Sequence, residues 1–405
     1  MSVFRALSNR SFALLWSGQT ISRLGDSLYT IALAWWVLEK TGSAAAMGVV
    51  LICSTVPMLL LLLVGGVVVD RLPRVPLMLA SDLARGVVVS LIAFLAFQQR
   101  LELWQLFVMS ALFGVVRAFF YPAYTAIIPD LAPAELLPSA NSLRSISLQA
   151  AQIIGPGIGA AIVALGGTSL AFALDGASFL ISAGCLLALP SMPEPQRRAE
   201  KKEGMLSDLG KGIRAVLHSP WLWITLVIAS LSTIFMDGPA EVVMPLLVKQ
   251  HFGAQVGIYG LFTTLSAVGS IGAALWLGHF KRLRWRGVLT YGAWMTISLM
   301  LVVIGLPIPA GGVSAAIFLQ GAAQAALGLA WMSTLQDEAF VPSNLLGRVS
   351  SIDMLVSSAL VPIGYAVAGI AADRLGAGPV FLLGGAIGAG IIALGLLHPA
   401  IRRVD

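Results

Sequence analysis

Charged residues are scarce in this chain of 405 residues. They make up 11 % of the sequence, whereas apolar residues make up 58 %. Soluble domains carry about 25 % charged residues, because polar side chains must cover the surface around a hydrophobic core. The composition therefore excludes a soluble globular fold and indicates that lipid is the solvent of most of this protein.

Cysteine and histidine are also scarce. The two cysteines, Cys53 and Cys185, lie inside apolar runs, and the four histidines are scattered. Two thiols cannot build a disulfide framework, and these residues lack the spacing of metal ligands. We therefore expect no metal and no cofactor, and we interpret both cysteines as small apolar packing residues.

The motifs of enzymes and of nucleic-acid-binding proteins are missing as well. The chain has no Ser-His-Asp arrangement in a plausible context and no Walker-type phosphate loop. We expect no enzymatic activity, and because the chain itself does not use ATP, an ion gradient is the remaining energy source. The net charge is +6, but no run of Lys and Arg is interleaved with aromatic residues, so we expect no nucleic-acid partner.

What the chain does contain is long apolar runs. A membrane-spanning helix needs about 20 mainly apolar residues, and in lipid its backbone must bond internally. Twelve runs meet this requirement, so we predict an all-α integral membrane protein in the lipid bilayer. The first run is too long for a cleavable signal peptide. The runs are 12–38, 44–69, 76–97, 103–128, 142–166, 169–189, 221–248, 256–280, 287–306, 313–335, 349–373 and 378–398.

Lys and Arg are distributed unequally between alternate loops. If the N-terminus is cytoplasmic, eighteen of these side chains fall on the inner side and four on the outer side: Lys40, Arg100, Lys249 and Arg374. Cytoplasmic loops carry the excess of Lys and Arg in membrane proteins. We therefore predict a multi-pass protein of the cell inner (plasma) membrane with both termini in the cytoplasm.

A polar stretch from Pro190 to Pro220 divides the runs six and six. We predict an N-terminal six-helix bundle over 1–190, a cytoplasmic linker over 191–219 and a C-terminal six-helix bundle over 220–405. Within the linker, the segment from Met205 to Leu217 has apolar residues near helical spacing. It fits either a helix at the membrane interface or a plain solvated linker.

The two halves resemble each other weakly. An offset of 211 residues aligns Asp26 with Asp237, and an offset of 206 residues aligns Pro156 with Pro362. Together with the division into six and six, these matches indicate a duplicated unit, as many transporters have.

Two motifs stand out. The loop after the second run reads Gly66-Val67-Val68-Val69-Asp70-Arg71-Leu72-Pro73-Arg74, and the fifth run contains Gly155-Pro156-Gly157-Ile158-Gly159. With twelve runs in two halves, the whole chain resembles the major facilitator superfamily. Four further phrases resemble its branch of enterobactin exporters and macrolide efflux proteins: Leu24-Gly25-Asp26, Asp82-Leu83-Ala84-Arg85, Arg117-Ala118-Phe119-Phe120-Tyr121-Pro122-Ala123 and Ala173-Leu174-Asp175.

This resemblance implies two pseudo-symmetric six-helix bundles that form the major facilitator fold. It implies a monomeric, proton-coupled secondary transporter that exports amphipathic small molecules, such as a macrolide drug or a siderophore, by alternating access. Three alternatives remain open: a lipid or lysophospholipid flippase on the same fold, a nutrient importer, and a membrane receptor or assembly factor without transport.

The resemblance also implies a cytoplasmic gate, built from Gly66, Asp70, Arg71, Arg74 and Asp130. In this gate Asp70 faces the start of the eleventh span, where a carboxylate is favoured, and Arg74 pairs with Asp130. The loop departs from the family pattern, with Pro73 in place of the usual glycine and Val75 in place of the second basic residue. The alternative is a loop that only fixes topology by positive charge.

The corresponding loop of the second half reads Gly278-His279-Phe280-Lys281-Arg282 and lacks the aspartate. We therefore expect gating by this device to be one-sided. In the fifth span, the resemblance links Gly155, Pro156 and Gly159 to exchangers that expel substrate against an ion. Ordinary small-residue packing is the alternative for that motif.

Several charges lie at membrane depth, where each needs a partner or a wet cavity. Arg23 and Asp26 are three residues apart and could pair, and Asp237 and Glu241 are four residues apart on one helical face. We predict a proton relay of Asp26, Asp237 and Glu241, with Arg117 as its fixed cation. The alternatives are a closed Arg23–Asp26 pair and an Asp237 that caps a helix break near Gly238. Asp175 and Asp353 we interpret as structural or gating residues.

Substrate cavities are mostly apolar with few polar groups. The aromatic residues and the methionine near these charges are therefore predicted either to line such a cavity or to pack between helices: Tyr29, Trp35, Phe119, Phe120, Tyr121, Phe235 and Met236.

Overall fold

The computed structural model describes residues 3–69, 72–190, 205–253, 255–280, 286–337, 341 and 345–402. Within these ranges all regular structure is helical, which confirms the predicted all-α fold. The α-helices are α1 (Arg10–Thr41), α2 (Ala44–Val69), α3 (Arg74–Phe97), α4 (Leu103–Leu131), α5 (Leu137–Leu187), α6 (Met205–His218), α7 (Pro220–Gly238), α8 (Met244–His251), α9 (Val256–Gly278), α10 (Arg286–Gly305), α11 (Ala310–Leu335), α12 (Leu346–Ala359), α13 (Val361–Leu375), α14 (Ala377–Leu396) and α15 (Pro399–Arg402). Short 3₁₀ helices cover Val3–Ser8 and Ala134–Leu136, and a π-helical turn covers Pro239–Val243.

Ten helical segments of the described chain are long and apolar enough to cross a membrane. Two features account for the difference between these ten segments and the twelve spans predicted from the sequence. The segment Ala134–Leu187 holds the fifth and sixth predicted spans, which meet at Gly167, where φ is 76° and the backbone is not helical. Helix α1 is not among the ten, and it carries Arg23 and Asp26 along its length. Counting α1 and dividing α5 at Gly167 brings the number to twelve.

The spans keep much of their apolar surface on the outside. In their most apolar windows only 17 % to 44 % of the residues are buried. Leu60, Leu165 and Leu394, for example, are exposed. Surfaces of this kind fit helices whose outer faces contact lipid, since soluble proteins rarely expose large apolar patches.

Local sequence signals fix the ends of α1. The side chain of Asn9 accepts a hydrogen bond from the Phe12 amide at 3.0 Å, which satisfies one of the free donors at the start of the helix. At the other end Gly42 adopts φ 64° and its amide donates to the Leu38 carbonyl at 2.9 Å. This left-handed residue ends the helix and begins the turn into α2.

The chain divides into two compact units. The first comprises Met1–Gly42, Val49–Arg197 and Gln255–Thr264, and the second comprises Ser43–Gly48, Arg198–Ala254 and Leu265–Asp405. The predicted bundle limits of 190 and 220 differ from this division mainly in two short segments. These are the start of α2, which belongs to the second unit, and the start of α9, which belongs to the first. In the predicted linker, the segment from Met205 is helical, as α6.

The first unit is built on close packing of α1 against α5. Gly155 is required there, because a Cβ atom on it would lie 2.4 Å from the Cβ atom of Ser27. Aromatic rings fill the adjoining core, where Tyr29 stacks on Phe113 with ring centroids 5.6 Å apart. Helices α1 and α5 are therefore held in close contact by a small residue and an aromatic core.

In the second unit Asp373, near the end of α13, holds the start of α2. Its Oδ1 atom accepts a hydrogen bond from the Ala44 amide at 2.7 Å, and its Oδ2 atom accepts one from the Ala45 amide at 3.3 Å. The Ser43 hydroxyl also donates to this carboxylate. The first amides of α2 thus find an acceptor that is distant in sequence, as an N-cap requires.

Candidate functional site

Arg74 and Asp130 form an ion pair in the first unit. Arg74 is the first residue of α3, and its Nη1 atom also donates to the carbonyl of Ala126 at 2.9 Å. Arg74 and Asp130 are the two residues that the superfamily resemblance pairs. Asp70 and Arg71 lie outside the described residues, and Gly66 lies in α2. The contact of Asp70 with the eleventh span therefore stays a prediction, as does the gate.

The second unit contains the same arrangement. Arg286 is the first residue of α10, and its Nη1 atom lies 2.7 Å from the Oδ2 atom of Asp337. The same nitrogen donates to the carbonyl of Ser333 at 3.4 Å. In both units the arginine begins a helix and reaches an aspartate and the carbonyl four residues before it.

Sequence reasoning missed this second pair because it compared only the loops. The offsets are 212 residues for the arginines and 207 residues for the aspartates, close to the 211 and 206 found elsewhere in the repeat. An arginine at the start of the helix after the loop, with an aspartate after the next helix, would have revealed it. The loop aspartate is absent from the second half, but the ion pair is present in both.

Around Asp26 the structure differs from the simplest expectation. Within the described residues, Arg23 and Asp26 make no ion pair, so the closed structural pair is wrong. The Arg23 guanidinium instead lies 5.2 Å from the ring centroid of Tyr124. Asp26 is partly buried and Arg117 is exposed. Arg85, Arg117 and Arg23 are the cations that act electrostatically on Asp26.

A buried polar network that the sequence did not predict lies beside Asp26. Asp82 and Arg85 on α3 form an ion pair and are 0 % and 4 % exposed. The Oδ2 atom of Asp82 accepts hydrogen bonds from the Ser182 hydroxyl at 2.7 Å and from Gln19 Nε2 at 3.3 Å. These partners satisfy the carboxylate, which is the condition for burying a charge.

The Arg85 guanidinium also lies between two aromatic rings. Its central carbon is 4.0 Å from the ring centroid of Phe120 and 4.4 Å from that of Phe179. Cation–π contacts of this kind are strongest when water is excluded. In the sequence, Asp82 and Arg85 are visible only as part of a family phrase, because their partners are distant in the chain.

The acidic residues of the second unit lie along a deformed helix. Asp237 and Glu241 are both exposed, and Glu241 is the charged group that acts on Asp237. Helix α7 ends at Gly238, but the π-helical turn and α8 follow it directly, so the helical backbone is not interrupted there. Asp237 therefore caps no break, and that alternative is wrong. Such π turns are often found at functional sites.

Asp353 has partners for both carboxylate oxygens. Its Oδ2 atom accepts from Trp331 Nε1 at 3.0 Å, and its Oδ1 atom accepts from the Ser357 hydroxyl at 3.3 Å. The motif of the fifth span makes helix contacts as well. Gly155 meets Ser27, and a Cβ atom on Gly159 would lie 3.3 Å from Leu28. These contacts support the packing interpretation of the motif, while its exchanger role stays a prediction.

The predicted cavity residues separate into two groups. Tyr29, Trp35, Phe120 and Met236 are buried within their units, and the Trp35 Nε1 atom donates to Glu39 at 2.7 Å. These four pack between helices. Tyr121 is 51 % exposed, and Phe119 and Phe235 are partly buried, so only these three have rings that a substrate could contact.

Comparisons with known proteins agree with this architecture. The family model of the Major Facilitator Superfamily matches residues 15–365. Macrolide efflux protein A of Streptococcus pyogenes is 25 % identical over 401 residues, which cover 97 % of this chain and 96 % of that protein. Multidrug efflux pump Tap of Mycolicibacterium fortuitum is 29 % identical over 396 residues, which cover 94 % of each protein.

Solved structures match in fold. The nucleoside transporter NupG superposes with a TM-score of 0.74 at 13 % identity and covers 98 % of this chain and 100 % of its own. A bacterial homologue of the iron transporter ferroportin, in an inward-facing state, has a TM-score of 0.71 at 15 % identity, with 95 % and 98 % covered. Family and fold together indicate a transporter rather than an enzyme. The chain therefore belongs to the Major Facilitator Superfamily of multi-pass membrane transporters.

Proposed function

We propose that this transporter exports amphipathic small organic molecules in exchange for protons. The names of the two efflux relatives support export of drugs. The observation that carries the proposal is that each unit has ionisable carboxyl groups within helices that we assign to membrane spans: Asp26 in α1 of the first unit, and Asp237 in α7 with Glu241 in the following π-helical turn of the second. Charges at this depth are expensive and are by default functional.

In the first unit the Asp26 carboxyl group is partly accessible and lies near several arginines. Asp26 is only partly buried and is not held by an ion pair among the described residues. The exposed guanidinium of Arg117 acts electrostatically on Asp26 but forms no ion pair with it among the described residues. A carboxyl group that is near a cation and still accessible can exchange protons, and it can contact a substrate that carries a positive charge.

The second unit supplies two carboxyl groups that influence each other. Asp237 and Glu241 are both accessible; Asp237 lies just before the π-helical turn, and Glu241 lies within it. A pair of neighbouring carboxyl groups releases its protons in two steps, which belong to the pair rather than to either residue. Such a pair suits a carrier that must bind a proton in one state and release it in another.

Transport in everted membrane vesicles tests the proposal. Ethidium serves as a fluorescent probe and erythromycin as a macrolide probe, each with the pH gradient imposed and then collapsed by a protonophore. We expect gradient-driven uptake in the wild type and loss of it in Asp26→Asn and Asp237→Asn. Glu39→Gln, on the same helix as Asp26, is the matched control and should transport normally. Undiminished transport by both neutral variants would refute the relay.

The proposed location is the inner (plasma) membrane with both termini in the cytoplasm, on the strength of the Lys and Arg distribution. Reporter proteins that are active on only one side of the membrane, fused to each terminus, test this orientation. A terminus that reports from the outer side would contradict it. Neither efflux relative is named as a lipid flippase, and no contact among the residues that the structure describes favours that alternative over drug export.

A further inference from the structure

We propose that Asp175, on α5, is a proton-binding residue of the first unit, and that Arg85 exchanges its ion pair from Asp82 to Asp175 when that proton leaves. This inference rests on the proposed proton exchange and adds a site to it. It starts from two buried polar atoms that lack partners.

The first atom is Oδ2 of Asp175. The residue is 0 % exposed, and this oxygen has no hydrogen-bond partner in the described part of the protein. Its other oxygen accepts only a 3.3 Å hydrogen bond from Ser178, whose hydroxyl also donates to the Asp175 carbonyl at 2.7 Å. A carboxylate charge in this position would lack the hydrogen bonds and the ion pair that buried charges require.

The second atom is Nε of Arg85, which is likewise buried and without a partner among the described residues. Arg85 is a donor at five N–H positions, and one of its terminal nitrogens bonds Asp82. The Nε–H group is therefore an unused donor in the interior of the unit. An unused donor and an unused acceptor in one network indicate that the network has a second arrangement.

Helix geometry places Arg85 between the two carboxyl groups. Asp175, Ser178, Phe179 and Ser182 occupy positions i, i+3, i+4 and i+7 and so share one face of α5. Ser182 binds Asp82, Phe179 contacts the Arg85 guanidinium, and Ser178 binds Asp175. Seven residues of α-helix rise about 10 Å, so Arg85 lies at the level between the carboxyl groups.

Charged and titratable groups of α1, α3 and α4 surround this site. On α1 they are Asp26 and Tyr29, and on α3 they are Arg85 and its partner Asp82. From α4, Arg117 acts on Asp26. Among the described residues, Arg85 is thus the cation that acts on Asp175, and Asp26 is the acid that acts on it.

The packing leaves room for a proton but not for an organic molecule. A Cβ atom on Gly25 would lie 2.4 Å from the Oδ1 atom of Asp175 and 2.2 Å from the Ser178 hydroxyl. Only a glycine permits this approach of α1 to the carboxyl group. Gly25 precedes Asp26 in the sequence, and Asp26 acts electrostatically on Asp175.

The step balances as a proton transfer. The O–H bond of the Asp175 carboxylic acid breaks, and the proton binds the carboxylate of Asp26, which passes it to water. Asp175 becomes an anion, and the Arg85 guanidinium moves to it without changing its own charge. Asp82 then keeps the hydrogen bonds from Ser182 and Gln19, which are charge-assisted and stabilise it in the absence of the arginine.

Infrared difference spectroscopy on the protein in liposomes tests this site without any substrate. A change from acid to alkaline buffer should remove the C=O stretch of a carboxylic acid and, in the same step, shift the guanidinium band of an arginine. Because Asp26, Asp237, Glu241 and surface carboxyl groups also respond to pH, the signal of Asp175 is the part of the carboxyl response that differs between wild type and Asp175→Asn. We expect Asp175→Asn to lose that component together with the guanidinium shift, and Asp175→Glu to move the component. Asp353→Asn, whose carboxylate has partners on both oxygens, is the control and should keep both changes.

Several results would overturn the proposal. Identical carboxyl responses in wild type and Asp175→Asn would mean that Asp175 has a constant protonation state. A guanidinium shift that persists unchanged in Asp175→Asn, or an Asp175 component of the carboxyl response without a guanidinium shift, would refute the exchange of partners. If Asp175→Asn does not fold, the band shift in Asp175→Glu decides alone.

The ethidium assay separates this outcome from that of the proposed function. A pH response at Asp175 in a protein that does not transport ethidium or erythromycin would leave the site in place and refute the proposed substrate. Gradient-driven transport in a protein without the Asp175 response would support the proposed function and refute the proton site at Asp175.

Discussion

Arg286 and Asp337 form an ion pair, with 2.7 Å between Nη1 and Oδ2, that repeats the pair of Arg74 and Asp130 in the other half of the sequence. In each unit the arginine also binds the carbonyl four residues before the aspartate. The two halves therefore share a specific side-chain interaction as well as a helix count. This is the most detailed sign of duplication in the chain.

We expect Asp130→Asn and Asp337→Asn to reduce transport while changing stability only slightly. Both pairs are partly exposed, and exposed ion pairs contribute at most about 1 kcal/mol. The measurement compares ethidium transport in vesicles with the melting temperature of the purified protein. Normal transport in both variants would show that the pairs have no gating role, and a large loss of melting temperature would show a structural one.

Asp70→Asn is predicted to abolish transport and leave membrane insertion intact. The prediction rests on the superfamily motif of the loop and on the favourable energy of a carboxylate at a helix N-terminus. Immunodetection in washed membranes measures insertion, and vesicle transport measures activity. Leu72→Ala, in the same loop, is the control. A fully active Asp70→Asn protein would leave the loop with a role in topology only.

Removing one member of the buried Asp82–Arg85 pair should be strongly destabilising. Breaking such a pair leaves an unpaired buried charge, which costs about 3–5 kcal/mol. We expect Asp82→Ala to lower the melting temperature sharply or to prevent accumulation. The double variant Asp82→Leu with Arg85→Met should recover part of the loss, because it removes both charges. A double variant less stable than the single one would contradict this account.

Asp373→Ala should weaken the start of α2. Loss of a capping side chain costs about 0.5–2 kcal/mol, and here the carboxylate accepts from two backbone amides and a hydroxyl. Asp373→Asn keeps one acceptor oxygen and should lose less. Thermal unfolding of the three purified proteins ranks them. Equal melting temperatures for wild type and Asp373→Ala would show that the cap contributes nothing measurable.

Gly155→Val should destabilise the contact of α1 with α5. The added side chain would overlap Ser27, and overpacking of this kind costs about 1–3 kcal/mol. Gly184→Ala, in the part of α5 after the turn at Gly167, is the control, because a Cβ atom there meets nothing within 4 Å. We expect the control to be neutral or slightly stabilising, since alanine favours helix over glycine. Equal melting temperatures for Gly155→Val and wild type would refute the packing role.

The repeat and the membrane spans could be derived from the sequence because they depend on neighbouring residues. Hydropathy over about 20 residues identifies a span whatever its partners are, which is why the runs near 44–69 and 256–280 agree with α2 and α9. The limits of such runs were less well determined. The turn between the fifth and sixth predicted spans is so short, at Gly167, that α5 covers both spans.

The partners of the charged residues could not be derived in the same way. A spacing of three residues suggested a pair of Arg23 with Asp26, but the Arg23 guanidinium lies against Tyr124, which is on another helix. A glycine and a proline after Asp237 suggested a break, but a π-helical turn carries the helix through it. Spacing along a helix shows which side chains can pair, but contacts with side chains of other helices determine which pairs form.

The sequence by itself determined that this protein is a helical membrane protein with two related halves and a superfamily loop motif, because these properties are sums or repeats along the chain. Only the tertiary structure decided that Asp82 is satisfied by Ser182, 100 residues away, and that Asp175 is buried with one oxygen unpartnered within the described residues. Such contacts depend on how closely helices approach one another, and at Gly25 the absence of a single Cβ atom sets that approach.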